Sequence, residues 1–371
     1  MRRPSEASSR ALRRALAAAA GALLAGGAVF ALLALLASAR ATGSNGPVLT
    51  PAERAAILAL GPWPPAPARD AANPASGNPA GIALGESLFY GPRLSPTGLR
   101  CASCHEPWRQ FADGRAVAQG VAAGSRNTPS LLDAARHRHY GWDGAHDQLW
   151  QQCLRPLEDA REMPAGPAQV AALMRGDAAL SARYAAVFGA APGANDTHVT
   201  RDVGRALAAY VETLATPRTP FDDWRDRLAR SPDGLEPAPS AAFPRAALRG
   251  LRLFVGRAGC SGCHAGPALG DDDFHVSRVR SMTAPGIPDH GRGGDPANRF
   301  RTPGLRNVAA TAPWFHDGSA ASLCDAVRPH AAGSAGAPPL LDASERRDLV
   351  DFLRTLSVSP PEGAATGACD G

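Results

Sequence analysis

The sequence predicts a mainly α-helical chain, built as two helical units in tandem with long irregular loops. Apolar residues recur at helical spacing in both halves, and one five-residue cysteine motif occurs twice at corresponding places. Glycine and proline, with 39 and 34 of the 371 residues, interrupt the pattern elsewhere. The length suits two modest domains, and no run with convincing strand alternation is present.

The N-terminus has the pattern of an export segment. Several arginines precede an apolar run at 15–39, which is followed by small residues. We therefore expect 1–41 to be a cleaved signal peptide or a retained membrane anchor, and both place the rest of the chain outside the cytoplasm. Residues 42–80 are rich in proline and alanine, and we interpret them as a tether that packs on the body near Trp63.

Helical spacing predicts the main elements. A first helix is expected over 82–90, and a second, amphipathic helix over 203–214. The plan then repeats, with apolar residues at helical spacing between Leu248 and Val255 and a last helix over 344–356. A breaker-rich stretch at 231–244 is the predicted boundary between the two units. The predicted domains are 81–230 and 245–360, followed by a C-terminal tail at 361–371.

Each unit contains the motif Cys-x-x-Cys-His. In this motif the two thiols form thioether bonds to a haem, and the adjacent histidine is the proximal ligand of its iron. A structural zinc site would need four ligands, and a thioredoxin-like pair would not need the histidine. We therefore predict two tandem c-type cytochrome domains with two covalently bound haem c groups. The residues are Cys101, Cys104 and His105 in the first unit and Cys260, Cys263 and His264 in the second.

Three further cysteines remain, and they cannot all pair within one chain. An oxidising compartment permits a disulfide, and Cys324 with Cys369 is the first pair to test. The alternative is that Cys153, Cys324 and Cys369 are separate thiols.

The formal net charge is +5, but the body of the chain has no long block of lysine and arginine. We therefore expect no nucleic-acid partner.

Between about 81 and 356 the chain has a series of short motifs around the two cysteine sites. They are LFYGPRLS at 88–95, FADGR at 111–115, RNTPSL at 126–131, GWDG at 141–144, PLEDAREM at 156–163, FRTPGLRNV at 300–308 and FHDGSA at 315–320. With these motifs the sequence resembles the bacterial di-haem cytochrome c peroxidase and MauG family.

The resemblance implies a division of labour between the two haems. The first reacts with peroxide, and the second takes electrons from a small donor protein. Trp142 matches the family tryptophan that lies between the haems, although it could instead be a core aromatic. Glu162 matches the distal glutamate that moves a proton during peroxide cleavage. On sequence alone, Glu158 and Asp159 compete with it.

Two positions depart from the family pattern. Where well-known members have a histidine that blocks the peroxidatic iron, this chain has Gln119, a poor iron ligand. We therefore expect the first haem to be five-coordinate or water-ligated. Where the family has methionine or tyrosine at the second haem, this chain has His330, which predicts His264/His330 coordination and a lower potential. Weaker candidate ligands are His137 and His139 for the first haem and His275, His290 and His316 for the second.

The resemblance also implies a calcium ion between the domains. Its protein ligands would be the Asn127 side chain and the carbonyls of Thr311 and Pro313. Ca²⁺ favours such oxygen ligands, although Asn127 could instead cap a turn.

The predicted function is reduction of hydrogen peroxide to water in the periplasm, with electrons from a donor cytochrome c or cupredoxin. One alternative is a MauG-like oxidase that acts on a partner protein, and another is a non-catalytic electron-transfer cytochrome. The latter needs two closed irons, whereas the sequence offers one good distal ligand. A homodimer is left open.

Overall fold

The computed structural model describes residues 49–231, 235–277, 279, 291–292, 299–331, 341–358 and 369. This part of the chain is mainly helical, as predicted. The α-helices are α1 (Pro51–Leu58), α2 (Pro79–Tyr90), α3 (Leu149–Glu158), α4 (Pro167–Gly176), α5 (Ala178–Phe188), α6 (Asp196–Val211), α7 (Pro220–Arg230), α8 (Arg245–Val255), α9 (Leu323–Ala331) and α10 (Ala343–Arg354).

The strands are few and short. β1 (Phe274–Val276) pairs antiparallel with β2 (Arg299–Arg301), so that Phe274 lies opposite Arg301. Among the described residues, no helix is long and apolar enough to cross a membrane.

Two helix pairs cross at a glycine. Helix α2 meets α6 at Gly85, where an added Cβ would lie 1.9 Å from the carbonyl oxygen of Ala206. Helix α8 meets α10 at Gly250, where an added Cβ would lie 1.9 Å from the carbonyl oxygen of Asp348. A side chain at either position would separate the helices, so glycine is required at both crossings.

In each half, a residue with left-handed backbone hydrogen-bonds to the chain just after the helix pair. Asp133 (φ 61°) donates its backbone N–H to the Leu214 carbonyl at 2.9 Å, just after α6. Asn307 (φ 60°) donates to the Leu356 carbonyl at 2.8 Å, just after α10. Asparagine and aspartate tolerate this conformation better than most residues. The two halves thus close their helix pairs in the same way.

The predicted tether is packed onto the body where the structure describes it. Pro51 begins α1, and a capping box between Thr50 and Glu53 fixes its start. Ile57, Leu60 and Trp63 are buried. The proline- and alanine-rich composition concealed this helix, because proline is also well suited to the first helical turn. The predicted packing near Trp63 is therefore observed, whereas helix α1 was not predicted.

Arg306 holds this segment in place. Its guanidinium forms a buried ion pair with Asp222 on α7 at 2.7 Å and lies 4.3 Å from the centre of the Trp63 ring. It also donates to the carbonyls of Leu60 and Pro267 at 3.4 and 2.8 Å. One buried cation therefore joins the N-terminal segment, α7 and the second half of the chain.

The predicted helices are confirmed, with shifted ends. The first begins three residues earlier than predicted, at Pro79, because Asn78 caps it. The second begins at Asp196 rather than at Val203, and the last covers Ala343–Arg354. The segment 1–41, part of the boundary at 231–244, and the tail at 361–371 apart from Cys369 lie outside the described residues. The domain limits stay predictions.

The predicted pairing of Cys324 with Cys369 is confirmed, since the structure joins them in a disulfide. The bond closes a loop of 45 residues, from the start of α9 to the C-terminal tail. Cys153 is unpaired, and burial raises the pKa of its thiol well above the usual range. The alternative of three separate thiols is therefore wrong.

We expect replacement of both Cys324 and Cys369 by serine to lower the free energy of unfolding by about 2–4 kcal/mol, because the unfolded chain regains the freedom that the cross-link removes. Denaturant unfolding of the holoprotein followed by circular dichroism measures the change. Mild reduction of the wild type should reproduce it. An unchanged transition midpoint in both experiments would contradict the prediction.

Candidate active site

The two Cys-x-x-Cys-His motifs have the same local geometry. Each begins with one turn of 3-10 helix, Cys101–Ser103 in the first and Cys260–Gly262 in the second. In both, the second cysteine donates its backbone N–H to the carbonyl of the first at 3.2 Å, and the histidine donates to the same carbonyl at 2.9 Å. The turn places both thiols and the imidazole ring on one short stretch of backbone.

A backbone carbonyl holds each histidine ring. The Nδ1 of His105 lies 2.9 Å from the Phe111 oxygen, and that of His264 lies 3.1 Å from the Leu269 oxygen. A carbonyl can only accept, so Nδ1 carries the proton and Nε2 is left with a lone pair for iron. Phe111 and Leu269 both have left-handed backbone, with φ of 59° and 57°. Nothing in the sequence marks these two residues, because their side chains do not favour that conformation.

Burial keeps both rings neutral. It lowers the pKa of His105, against the opposing effect of the Phe111 and Pro129 carbonyls. The pKa of His264 falls to about 4 through burial and the nearby His330. A neutral imidazole is the form that binds iron.

The thiols of the first motif are not arranged as a redox pair. Burial raises the pKa of Cys101 to about 12. Burial, with the negative charges of Asp113 and Glu162, raises that of Cys104 to about 11. A reactive thiol pair needs a lowered pKa, so this environment suits cysteines consumed in thioether bonds.

Glu162 lies at the first motif. Its charge raises the pKa of both Cys104 and His105, so its carboxylate is near the proximal side chains. Glu158 is exposed at the end of α3, and Asp159 pairs with Arg155 at 3.2 Å. Of the three carboxylates in this motif, Glu162 is therefore the best placed to serve the first haem.

The loop that contains Gln119 packs against Glu162. Val121 donates its N–H to the Glu162 carbonyl at 3.0 Å. Gly120 lies so close that an added Cβ would be 2.4 Å from the Glu162 Cα. The Gln119 carbonyl is 3.9 Å from the Cys104 sulfur, while the residue as a whole is exposed. The structure thus brings Gln119, Glu162 and the first motif together.

Trp142 connects the two halves. Its indole Nε1 donates to the Asn127 carbonyl at 3.0 Å, and its own carbonyl accepts from the backbone N–H of Arg301 at 2.9 Å. Asn127 in turn donates its backbone N–H to the His316 carbonyl at 2.8 Å. The Trp142 ring meets the His316 ring edge to face, with centres 6.4 Å apart. Trp142 is therefore bonded to segments from both halves of the chain.

His330 lies near His264. Its Nδ1 is 2.9 Å from the Ala326 carbonyl, one helical turn back on α9, which leaves Nε2 as a ligand atom. Its ring lies parallel to that of Phe315, with centres 6.0 Å apart. Together with its effect on the pKa of His264, this position suits a distal ligand.

Comparison with known proteins identifies the family. A model described as di-haem cytochrome c peroxidase matches residues 79–229. The chain is 34% identical, over 78% of its own length and 81% of the relative's, to methylamine utilization protein MauG of Methylorubrum extorquens. The chain belongs to the di-haem cytochrome c peroxidase and MauG family.

Other similar proteins support the same family. The chain is 32% identical to cytochrome c551 peroxidase of Nitrosomonas europaea, over 75% of this chain and 80% of that protein. Among solved structures, a MauG-like protein associated with microbial copper homeostasis is similar, with 29% identity, a TM-score of 0.64 and coverage of 83% and 97%. The diheme peroxidase BthA of Burkholderia thailandensis has 26% identity, a TM-score of 0.64 and coverage of 79% and 90%. The chain is an oxidoreductase of the peroxidase type, which sets aside the non-catalytic carrier.

Membership of a di-haem family implies two haem c groups, and the thiols and imidazoles of the two motifs fit them. Each motif presents two buried or half-buried thiols outside any disulfide and one imidazole with a free Nε2. The attachment residues are Cys101, Cys104 and His105, and Cys260, Cys263 and His264.

The weaker candidate ligands have other contacts. His137 is half-buried between Asp272 and Arg301; its Nδ1 lies 3.2 Å from the Asp272 carboxylate and 3.1 Å from the Arg301 guanidinium. The His139 ring packs on Phe274, and His275 pairs with Asp271 at 2.8 Å. His316 stacks on Phe300, and His290 lies outside the described residues.

The calcium ligands stay a prediction. Asn127 is buried, and its amide nitrogen donates to the Arg115 carbonyl at 2.7 Å, so Oδ1 is the amide atom left for a cation. Among the described histidine, cysteine and carboxylate side chains, one group, Cys263, Asp271 and His275, has ligand atoms within 4.8 Å of one another. Its cysteine is a haem-attachment residue.

Replacing His330 by alanine should convert the second haem from low-spin to high-spin, because the strong distal ligand is lost. Electron paramagnetic resonance of the oxidised holoprotein measures the change. The exposed His275 provides the matched control, and His275→Ala should keep the low-spin signal. An unchanged spectrum in His330→Ala would show that another residue binds this iron.

Proposed function

We propose that the protein reduces hydrogen peroxide to water with electrons from a small donor protein, a cytochrome c or a cupredoxin. The main support for the proposal is that Glu162 lies near the first motif, where the loop at 118–124 hydrogen-bonds to its backbone carbonyl. The haem groups supply the iron at which peroxide binds and the route by which electrons arrive.

Two c-type cytochrome domains in tandem, 81–230 and 245–360, provide the framework of this proposal. The matching helix crossings at Gly85 and Gly250 support the duplication. So do the two histidine rings held by carbonyls of left-handed residues. Each domain would hold one haem on equivalent backbone, so differences in function arise from the distal residues.

Glu162 acts as the proton carrier. Its carboxylate accepts a proton from one oxygen of the bound peroxide and gives it to the other oxygen, which leaves as water when the O–O bond breaks. The whole reaction would consume two protons from solvent and one electron from each of two donor molecules, and it would give two waters. Gln119, exposed and a poor ligand, leaves the distal side of His105 accessible to peroxide.

The second domain receives the electrons. His264 and His330 would hold its iron on both sides, which closes it to peroxide and lowers its potential. Trp142 would carry electrons between the domains, since its indole and its backbone are bonded to segments of both. Calcium bound by Asn127, Thr311 and Pro313 would stiffen the same region.

A MauG-like oxidation of a partner protein is the second candidate function. The 34% identity with MauG and the accessible first site favour it, while Glu162 favours the peroxidase. Under either function, the N-terminal 1–41 segment and the oxidising environment of the disulfide support a periplasmic location, with 15–39 as signal peptide or anchor.

We expect Glu162→Gln to lower the turnover of peroxide by about 10²–10⁴-fold, because the amide cannot take up the proton. Stopped-flow spectroscopy with a reduced donor cytochrome measures the rate. Glu158→Gln, a carboxylate on the exposed end of α3, is the matched control and should keep wild-type turnover. Full turnover in Glu162→Gln would contradict the proposed role.

The same experiment separates the two functions. Rapid peroxide-dependent oxidation of the donor supports the peroxidase. A long-lived oxidised state with little turnover supports the oxidase acting on a partner protein.

A further inference from the structure

Arg155 is a charged residue to which neither the motifs nor the proposed function gives a role. It lies on α3, and its guanidinium reaches two carboxylates at once. Nη1 contacts Oε1 of Glu162, and Nη2 lies 3.2 Å from Oδ2 of Asp159. The Arg155 side chain is 42% exposed and that of Glu162 27% exposed, so the pair lies at the edge of the site rather than in bulk solvent.

We propose that Arg155 is a positioning residue for peroxide cleavage, which fixes the Glu162 carboxylate beside the first haem site. The proposal rests on the proposed proton transfer by Glu162. It adds to this site a cation in contact with the proton carrier.

The guanidinium fixes the position of Glu162 through geometry. A planar fork that binds two carboxylates restrains both more than a lysine ammonium would. Asp159 also accepts from the backbone N–H of Arg161 at 2.8 Å, and Glu162 donates its own N–H to the Asp159 carbonyl at 3.1 Å. The turn from Asp159 to Glu162 is therefore held on two sides. Arg155 on α3 binds both of its carboxylates, and Val121 in the loop at 118–124 donates to the Glu162 carbonyl.

The contact with Arg155 fixes where Glu162 can move a proton. A general acid or base must lie within hydrogen-bond reach of the atoms that it serves, so a carboxylate that rotates freely spends less time in the productive position. Because Arg155 binds Oε1 of Glu162, it restrains the whole carboxylate group.

The surrounding charges are mostly negative. Burial acts to lower the pKa of Arg155, but the carboxylates of Glu162 and Asp159 raise it above its usual value. The loop at 118–124 has no titratable side chain. The carboxylates that act on Arg155 are those of Glu162, Asp159 and Asp143.

Arg155→Met in the holoprotein tests the proposal through the kinetics of peroxide turnover. Loss of the guanidinium should lower kcat about tenfold and leave the KM for peroxide unchanged, because the carboxylate is misplaced while the peroxide site is intact. Arg155→Lys keeps one contact with a carboxylate and should recover part of the rate.

A second measurement separates positioning of Glu162 from a general structural effect. In the Glu162→Gln background, Arg155→Met should cause little further loss of turnover, because the residue through which Arg155 acts is already gone. Arg175→Met, which breaks the ion pair with Asp196 between side chains 34% and 36% exposed, is the matched control and should keep wild-type turnover. If Arg155→Met impairs folding, Arg155→Gln gives the same measurements.

An unchanged kcat in Arg155→Met, or an equal loss of turnover in the wild-type and Glu162→Gln backgrounds, would overturn the proposal. With turnover still lost in Glu162→Gln, the proposed function would stand without it. Full turnover in Glu162→Gln would instead remove the proton transfer on which the proposal rests, and so overturn both.

Discussion

The rest of the structure depends on one constraint, which is that each proximal histidine must present Nε2 to an iron from a fixed ring. A carbonyl within hydrogen-bonding distance of Nδ1 meets this requirement at both motifs. Phe111 and Leu269 supply these carbonyls only by adopting left-handed backbone, at a cost of about 1–3 kcal/mol each. The helix crossings at Gly85 and Gly250 and the buried contacts of Arg306 provide the packing that offsets this cost.

The two sites share this proximal arrangement and differ on the distal side. Near His105 lie an exposed glutamine and a carboxylate that is held by a loop and an arginine. Near His264 lies a second imidazole with a free Nε2. Under the proposed function, the same backbone supports a reactive site in one half and a closed site in the other, and Trp142 is hydrogen-bonded to segments of both halves.

Much of this could be predicted from the sequence. The motif spacing predicts both haem attachments, helical periodicity predicts the principal helices, and the register of the family motifs predicts Glu162 and His330. These features are local, or they follow from a resemblance. Helix α1 was missed because its proline-rich composition is also typical of linkers.

The remaining features could not be predicted because they join residues far apart in the chain. Arg306 pairs with Asp222 across 84 positions, and no periodicity marks either of them. The left-handed conformation of Phe111 and Leu269 is imposed by tertiary contacts against their own preference. Arg155 is only seven positions from Glu162, yet α3 ends between them and the turn that brings them together has no clear sequence signal.

We expect the two haem sites to be unequal, and electron paramagnetic resonance of the resting, fully oxidised wild-type holoprotein can distinguish them. The spectrum should contain one high-spin signal from the accessible haem at His105 and one low-spin signal from the His264/His330 haem. Two low-spin signals of bis-histidine type would show that both irons are closed and would contradict this expectation.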